Sequence, residues 1–176
     1  MNAYVGVEGF VTKSGFILKE LCIYYDGDEF DHYLFKKPSL ELTNVDLRTI
    51  QYISSQLNGL DIHDGCIPYK EIERILTAID GYQIYTFSDL AVTTLRRYLP
   101  NTRKIKNIQD MGFEMPKNLP TSQCFRSHRS RYCAKSKARE VRDFMKCFDW
   151  EIEFIYLFTF LFIYSDNQCV LLIQKL

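Results

Sequence analysis

Cys124, His128 and Cys133 follow the spacing Cys-x3-His-x4-Cys, which would supply three of the four nitrogen and sulfur ligands of a tetrahedral zinc site. His63 or Cys66, two residues apart upstream, could complete the shell. The competing reading is that scattered thiols in a reduced protein act as small buried hydrophobes. The same stretch opens a basic run, with Arg126, Arg129, Arg131, Lys135, Lys137, Arg139, Arg142 and Lys146 set against only Glu140 and Asp143. Phe125 and Tyr132 interleave with it, a combination suited to phosphate neutralisation and base stacking. On that reading Arg126, Arg129, Arg131, Lys135 and Arg139 touch nucleic acid. The alternative is a solvated helix face whose Lys and Arg stems cover apolar surface. Asp61-Ile62-His63-Asp64 sets a histidine between acids, but in a loop this pattern predicts an Asx turn rather than a catalytic relay. No phosphate-cradling glycine loop, dinucleotide fingerprint, nucleophile elbow or two-histidine metal helix occurs in the sequence.

The elements that must carry these residues come from a chain of 176 residues, a length for one domain. Its 47% hydrophobic and 25% charged content excludes a wholly disordered or collagen-like chain. The 22 basic and 22 acidic residues cancel. Their distribution does not: residues 1–100 hold 9 Lys/Arg against 14 Asp/Glu, and residues 101–150 hold 12 against 5. A basic segment beside an acidic body either steers toward phosphates or docks on that body. The six cysteines form no compact secreted framework, and no signal peptide is expected. Reduced thiols and an intracellular location, cytoplasmic or nuclear, are therefore expected.

Alternating and β-rich stretches predict strands at Tyr4 to Val11, Phe16 to Tyr25 and Phe30 to Lys36, with turns at Thr12–Gly15 and Asp26–Asp28. The period then changes. Val45, Leu47, Ile50, Ile53 and Leu57 predict an amphipathic helix that Asn58-Gly59 terminates. Pro68 opens a second helix with an apolar stripe through Ile79. Tyr82 to Phe87 reads as a strand, Ser88 as the cap of a helix running to Leu99, and Ile105 to Ile108 as a short strand. Met111 to Cys124 predicts a loop, and Ala134 to Phe148 a basic helix. Phe154 to Tyr164 is an eleven-residue apolar run, about half of what a bilayer requires. A hydrophobic C-terminal extension over residues 149–176 is expected, and a membrane span is not.

An antiparallel meander followed by alternating helices and strands predicts an α/β domain over residues 3–147. Its mixed sheet has a three-strand meander continued by parallel strands, with helices on both faces, an RNase H-like arrangement. Within that frame the chain resembles the proofreading-type 3′–5′ exonucleases that use four acids and a histidine. Four stretches carry the likeness: Val5-Gly6-Val7-Glu8-Gly9-Phe10 on the first strand, Pro38 after the third, Asn58-Gly59-Leu60-Asp61-Ile62 with the helix that follows, and His128 with Cys133 before the basic helix. The resemblance implies two-metal hydrolysis of a phosphodiester, with magnesium or manganese held by carboxylates.

Set against that pattern, Gly6 stands for the first Asp, leaving Glu8 alone of its pair. Ala91 stands near the second, with Asp89 two residues away, and Cys133 replaces the last. His128 remains as the general base, and Asp110 could face the same cleft. The sequence thus implies a catalytically inactive exonuclease-like domain used for nucleic-acid binding or scaffolding. Two alternatives stand beside it: an active metal-dependent nuclease using Glu8, Asp89, Asp110 and His128, and a zinc-stabilised protein-interaction module using Cys124, His128 and Cys133.

Overall fold

The computed structural model describes residues 1–99, 101–117, 122–125, 128–130 and 133–148, with residue 102 and the stretches 122–125 and 128–130 described in their backbone only. Two long strands, β1 (Asn2–Thr12) and β2 (Gly15–Tyr25), form an antiparallel hairpin, and β3 (Phe30–Leu34) pairs with the far side of β2. On the other side of β1 lie β4 (Gln83–Thr86) and β5 (Ile105–Asn107), both parallel, so the sheet order is β3-β2-β1-β4-β5. A separate two-stranded hairpin joins β6 (Ser122–Phe125) to β7 (His128–Ser130). The expected loop therefore ends in a strand, and His128 begins another.

Helices α1 (Asn44–Ile53), α2 (Glu71–Thr77) and α3 (Asp89–Arg96) connect the strands, and a fourth, α4, covers residues 134–148. Thr43 starts α1 through a reciprocal capping box with Asp46. The helix expected to reach Leu57 instead converts at Ser54 into a π-helical turn, Ser54–Asn58, closed by Gly59 in the left-handed conformation (φ 69°). Two compact units are distinguished. One spans Met1–Arg142 and the other Asp143–Leu176, of which residues 143–148 are described.

Strand alternation sends Ala3, Val5 and Val7 of β1 to one face of the sheet, where Leu21, Ile23, Ile84 and Ile105 join them under α2 and α3. Ile72, Leu76, Ala91 and Leu95 complete this apolar core. Tyr4, Gly6, Glu8 and Phe10 point to the opposite face. There Phe10, Ile17 and Leu34 pack with Ile50 of α1, Leu60 and Ile62, while Ala134 and Ala138 of α4 lie against Gly6.

One residue reconciles the two patterns. Glu8 pairs with Glu20 and Gly9 with Leu18, so Lys19 is an extra residue in β2, a β-bulge. Its side chain is fully buried, and its ammonium donates to the carbonyls of Phe35 (2.6 Å), Ile62 (2.9 Å) and Asp64. Three acceptors satisfy the three donors of the buried cation, and burial still lowers the Lys19 pKa to about 8.

The apolar stripe of α1 is only partly used. Ile50 is buried and Ile53 half-buried, whereas Val45, Leu47 and Leu57 are exposed rather than inward. The π-turn rotates Leu57 out of the stripe, because each extra residue in a turn shifts the side chains after it.

Candidate functional site

The site begins with how closely α4 approaches β1. A Cβ at Gly6 would overlap the Ala134 carbonyl oxygen and lie 2.8 Å from Ala138 N, so only glycine lets the helix rest on the strand. Two small residues, Ala134 and Ala138, one helical turn apart and both fully buried, form the other side of that contact. An acid at Gly6, as the exonuclease likeness requires, has no room. Close packing accounts for its loss.

Contact at Gly6 places the rest of the α4 face. Lys137 reaches Glu8, and their side chains form an ion pair. Asn58 donates from Nδ2 to Glu8 Oε2 (3.4 Å) and to the Gly9 carbonyl (3.2 Å), tying the π-turn to β1. Burial raises the Glu8 pKa, and the Lys137 ammonium opposes that shift. On β2, the fully buried Glu20 accepts from His32 Nε2 (2.7 Å), with that His32 nitrogen as donor, and from the first amide of α4, Ala134 N (3.0 Å). A carboxylate at a helix N-terminus also complements the helix dipole. Cys133 caps the helix: its Sγ accepts from Ser136 N at 3.4 Å. The residue that would be the last metal-binding Asp is thus a buried cap.

The basic helix spends several cations on its own protein. Lys135 lies over the Phe30 ring (4.1 Å), Arg142 over the Tyr24 ring (4.5 Å) and against Asp28 (3.1 Å), and Arg139 against Glu140 (3.4 Å). Arg126 and Arg131 lie outside the described residues, and the side chains of Cys124, His128 and Arg129 are not described.

The acids named from the sequence divide between two clefts. Asp89 and Asp110 share one of about 480 Å³ beside β5, with Arg96 and Lys106 also in its lining. Asp89 accepts there from Asn107 Nδ2 (3.1 Å). Glu8 lines the other, of about 330 Å³, with Asn58, Ser88 and Lys137 at its polar end and Val11, Phe16, Leu57 and Leu90 around it. Ala91, near the second family Asp, is buried in the apolar core. Among the described residues no three His, Cys, Asp or Glu side chains group to hold a metal ion. The predicted Asx turn is present: Asp61 Oδ1 accepts from His63 N at 2.8 Å.

Ser88 lines the Glu8 cleft and directly precedes Asp89 of the other. It caps α3 through Ala91 N (3.4 Å), as expected, but does so at φ 83° and ψ 148°. This region is nearly reserved for glycine and costs about 1–3 kcal/mol elsewhere. Asn107 holds it there, accepting Ser88 N at 3.1 Å while bonding to Asp89 and to Gln109 N (3.2 Å). Reading the sequence missed Lys137, Asn58, Glu20 and His32 as site residues. The one signal was parity: Glu8 and Glu20 fall on the face that receives a basic helix.

Cys22 sits beside His32 across β2 and β3, yet burial pushes its thiol well up, so it is not poised as a nucleophile. Comparison with protein-family models, curated proteins and solved structures returns no match for this chain. Among the described residues, no helix is long and apolar enough to cross a membrane. The apolar run from Phe154 to Tyr164 lies outside them.

Proposed function

We propose that this chain is a catalytically inactive, exonuclease-like domain of RNase H-like frame that serves as a binding or scaffolding module. Support for the frame comes from an antiparallel meander continued by parallel strands, with helices packed on both faces. One observation carries the rest: α4 lies directly on Gly6 and pairs Lys137 with Glu8. Two divalent ions need several carboxylate oxygens around one phosphate. Here the single remaining acid of the first strand is neutralised by a lysine and bonded by Asn58, while Asp89 lies in the other cleft. The described residues do not fit a magnesium or manganese pair, and no hydrolytic step is assigned to them.

Scaffolding is favoured over nucleic-acid binding because, among the basic residues whose side chains are described, Lys135 and Arg139 are engaged with Phe30 and Glu140, and Lys137 and Arg142 with Glu8 and Asp28. The test is incubation of the full chain with a 5′-labelled oligonucleotide and either Mg²⁺ or Mn²⁺. No shortening is expected. Shortening that disappears in Glu8→Ala or His128→Ala would replace this reading with an active nuclease.

A further inference from the structure

Four features meet at the Glu8–Lys137 cleft. The π-turn Ser54–Asn58 forms one wall, and such turns concentrate at functional sites. Ser88, held at positive φ by Asn107, forms another. Large apolar side chains that ordinarily seek burial line it in the open: Leu57 is 59% exposed, Val11 50% and Leu90 43%. The volume, about 330 Å³, lies at the small end of ligand pockets, which run from about 300 to 1,000 Å³.

Charge selects the occupant. Glu8 and Lys137 are the titratable side chains in this lining and each already partners the other, so an anion or a cation entering the cleft would have to break that pair to be held by one of them. An uncharged apolar group meets no such conflict. Gln56 and Ser88, also in the lining, bring a carboxamide and a hydroxyl suited to the N–H and C=O of a peptide backbone.

We propose that this cleft docks an extended segment of a partner protein, which inserts one large, uncharged apolar side chain against Leu57 and Leu90. The proposal names the occupant of the cleft read above as non-catalytic and rests on that reading. The oligonucleotide assay and the binding assay have different readouts, so either can fail while the other stands.

The test titrates the full chain with capped pentapeptides Ac-Gly-Ser-X-Ser-Gly-amide, X being Leu, Phe, Asp or Lys, while methyl resonances are followed by NMR. Shifts at Val11, Leu57 and Leu90 are expected with X as Leu or Phe, and at least fivefold weaker response with Asp or Lys. Leu57→Lys and Leu90→Lys replace exposed side chains, so both should stay folded and lose the response. The proposal is overturned by no shift up to the solubility limit, by equal response to charged anchors, or by equal shifts at exposed Leu47. Shifts that follow the concentration of the chain alone would make the occupant a second copy and would also overturn it.

Discussion

The two faces of the sheet are held by different physics. Under α2 and α3, Ala3, Val5, Val7, Leu21, Ile23 and Ile84 make a dry aliphatic layer of the kind that close packing stabilises over many small contacts. Under α4, the same strands present Tyr4, Gly6, Glu8, Glu20, Cys22 and His32, and a few directional interactions hold the helix down: Lys137 on Glu8, Glu20 on the helix N-terminus, and Lys135 and Arg142 on aromatic rings. A face built from directional contacts is specific but intolerant. Each contact is set by one partner, and the glycine beneath α4 has no substitute.

The largest effect expected from disturbing this division is at Gly6. Gly6→Asp places a side chain into the Ala134 backbone and a charge beneath α4, and should cost about 3 kcal/mol or more. Urea unfolding measures it. A loss under about 1 kcal/mol would mean that α4 can move off the strand at little cost.

Lys137→Ala comes next. It leaves the largely buried Glu8 without its cation and should cost about 2 kcal/mol at pH 7, whereas the double variant Glu8→Gln/Lys137→Met should approach the parent. The sign with pH follows from Glu8. Its folded pKa is already raised by burial and rises further without the lysine, so the folded form of the variant binds the proton more tightly than the unfolded form does. Stability of Lys137→Ala relative to the parent should be nearest normal below pH 4.5, the ordinary Glu value, and should fall as pH rises through the folded pKa. Thermal melts across that range would show it, and a deficit that shrinks with rising pH would contradict it.

The smallest effect concerns Lys19, at the boundary between the two packing patterns of β2. Its folded pKa of about 8 lies below its ordinary 10.5, so between these values the unfolded chain holds more protons than the folded one. Stability should therefore rise with pH across pH 8 to 10.5. Lys19→Met should remove this rise in chemical denaturation, while an unchanged slope in that variant would assign it to another group.

Much of this division was legible in the sequence. Alternation placed β1, β2 and β3, and the helical period placed α2, α3 and α4, because both patterns are written in neighbours along the chain. Ser88 and Asp61 were readable as a cap and a turn for the same reason. The candidate site was harder. Glu8 and Lys137 are 129 residues apart, and no local rule pairs an acid on a first strand with one cation among eight. The π-turn and the positive φ of Ser88 arise from tertiary contacts with Gly9 and Asn107, and so left no mark in composition.

The extra residue in β2 also bears on how the chain can vary. Leu21 and Ile23 face the aliphatic layer, while Ile17, across the bulge, faces the α1 side. Removing Lys19 would leave Glu20 opposite Glu8 and Leu18 opposite Gly9 in unbroken alternation, so both segments would keep their faces, and what a one-codon deletion here gives up is the buried ammonium that donates to the carbonyls of Phe35, Ile62 and Asp64. The Thr12–Gly15 tip holds no such buried cation, and length changes between relatives of this chain should collect at that tip rather than at the bulge.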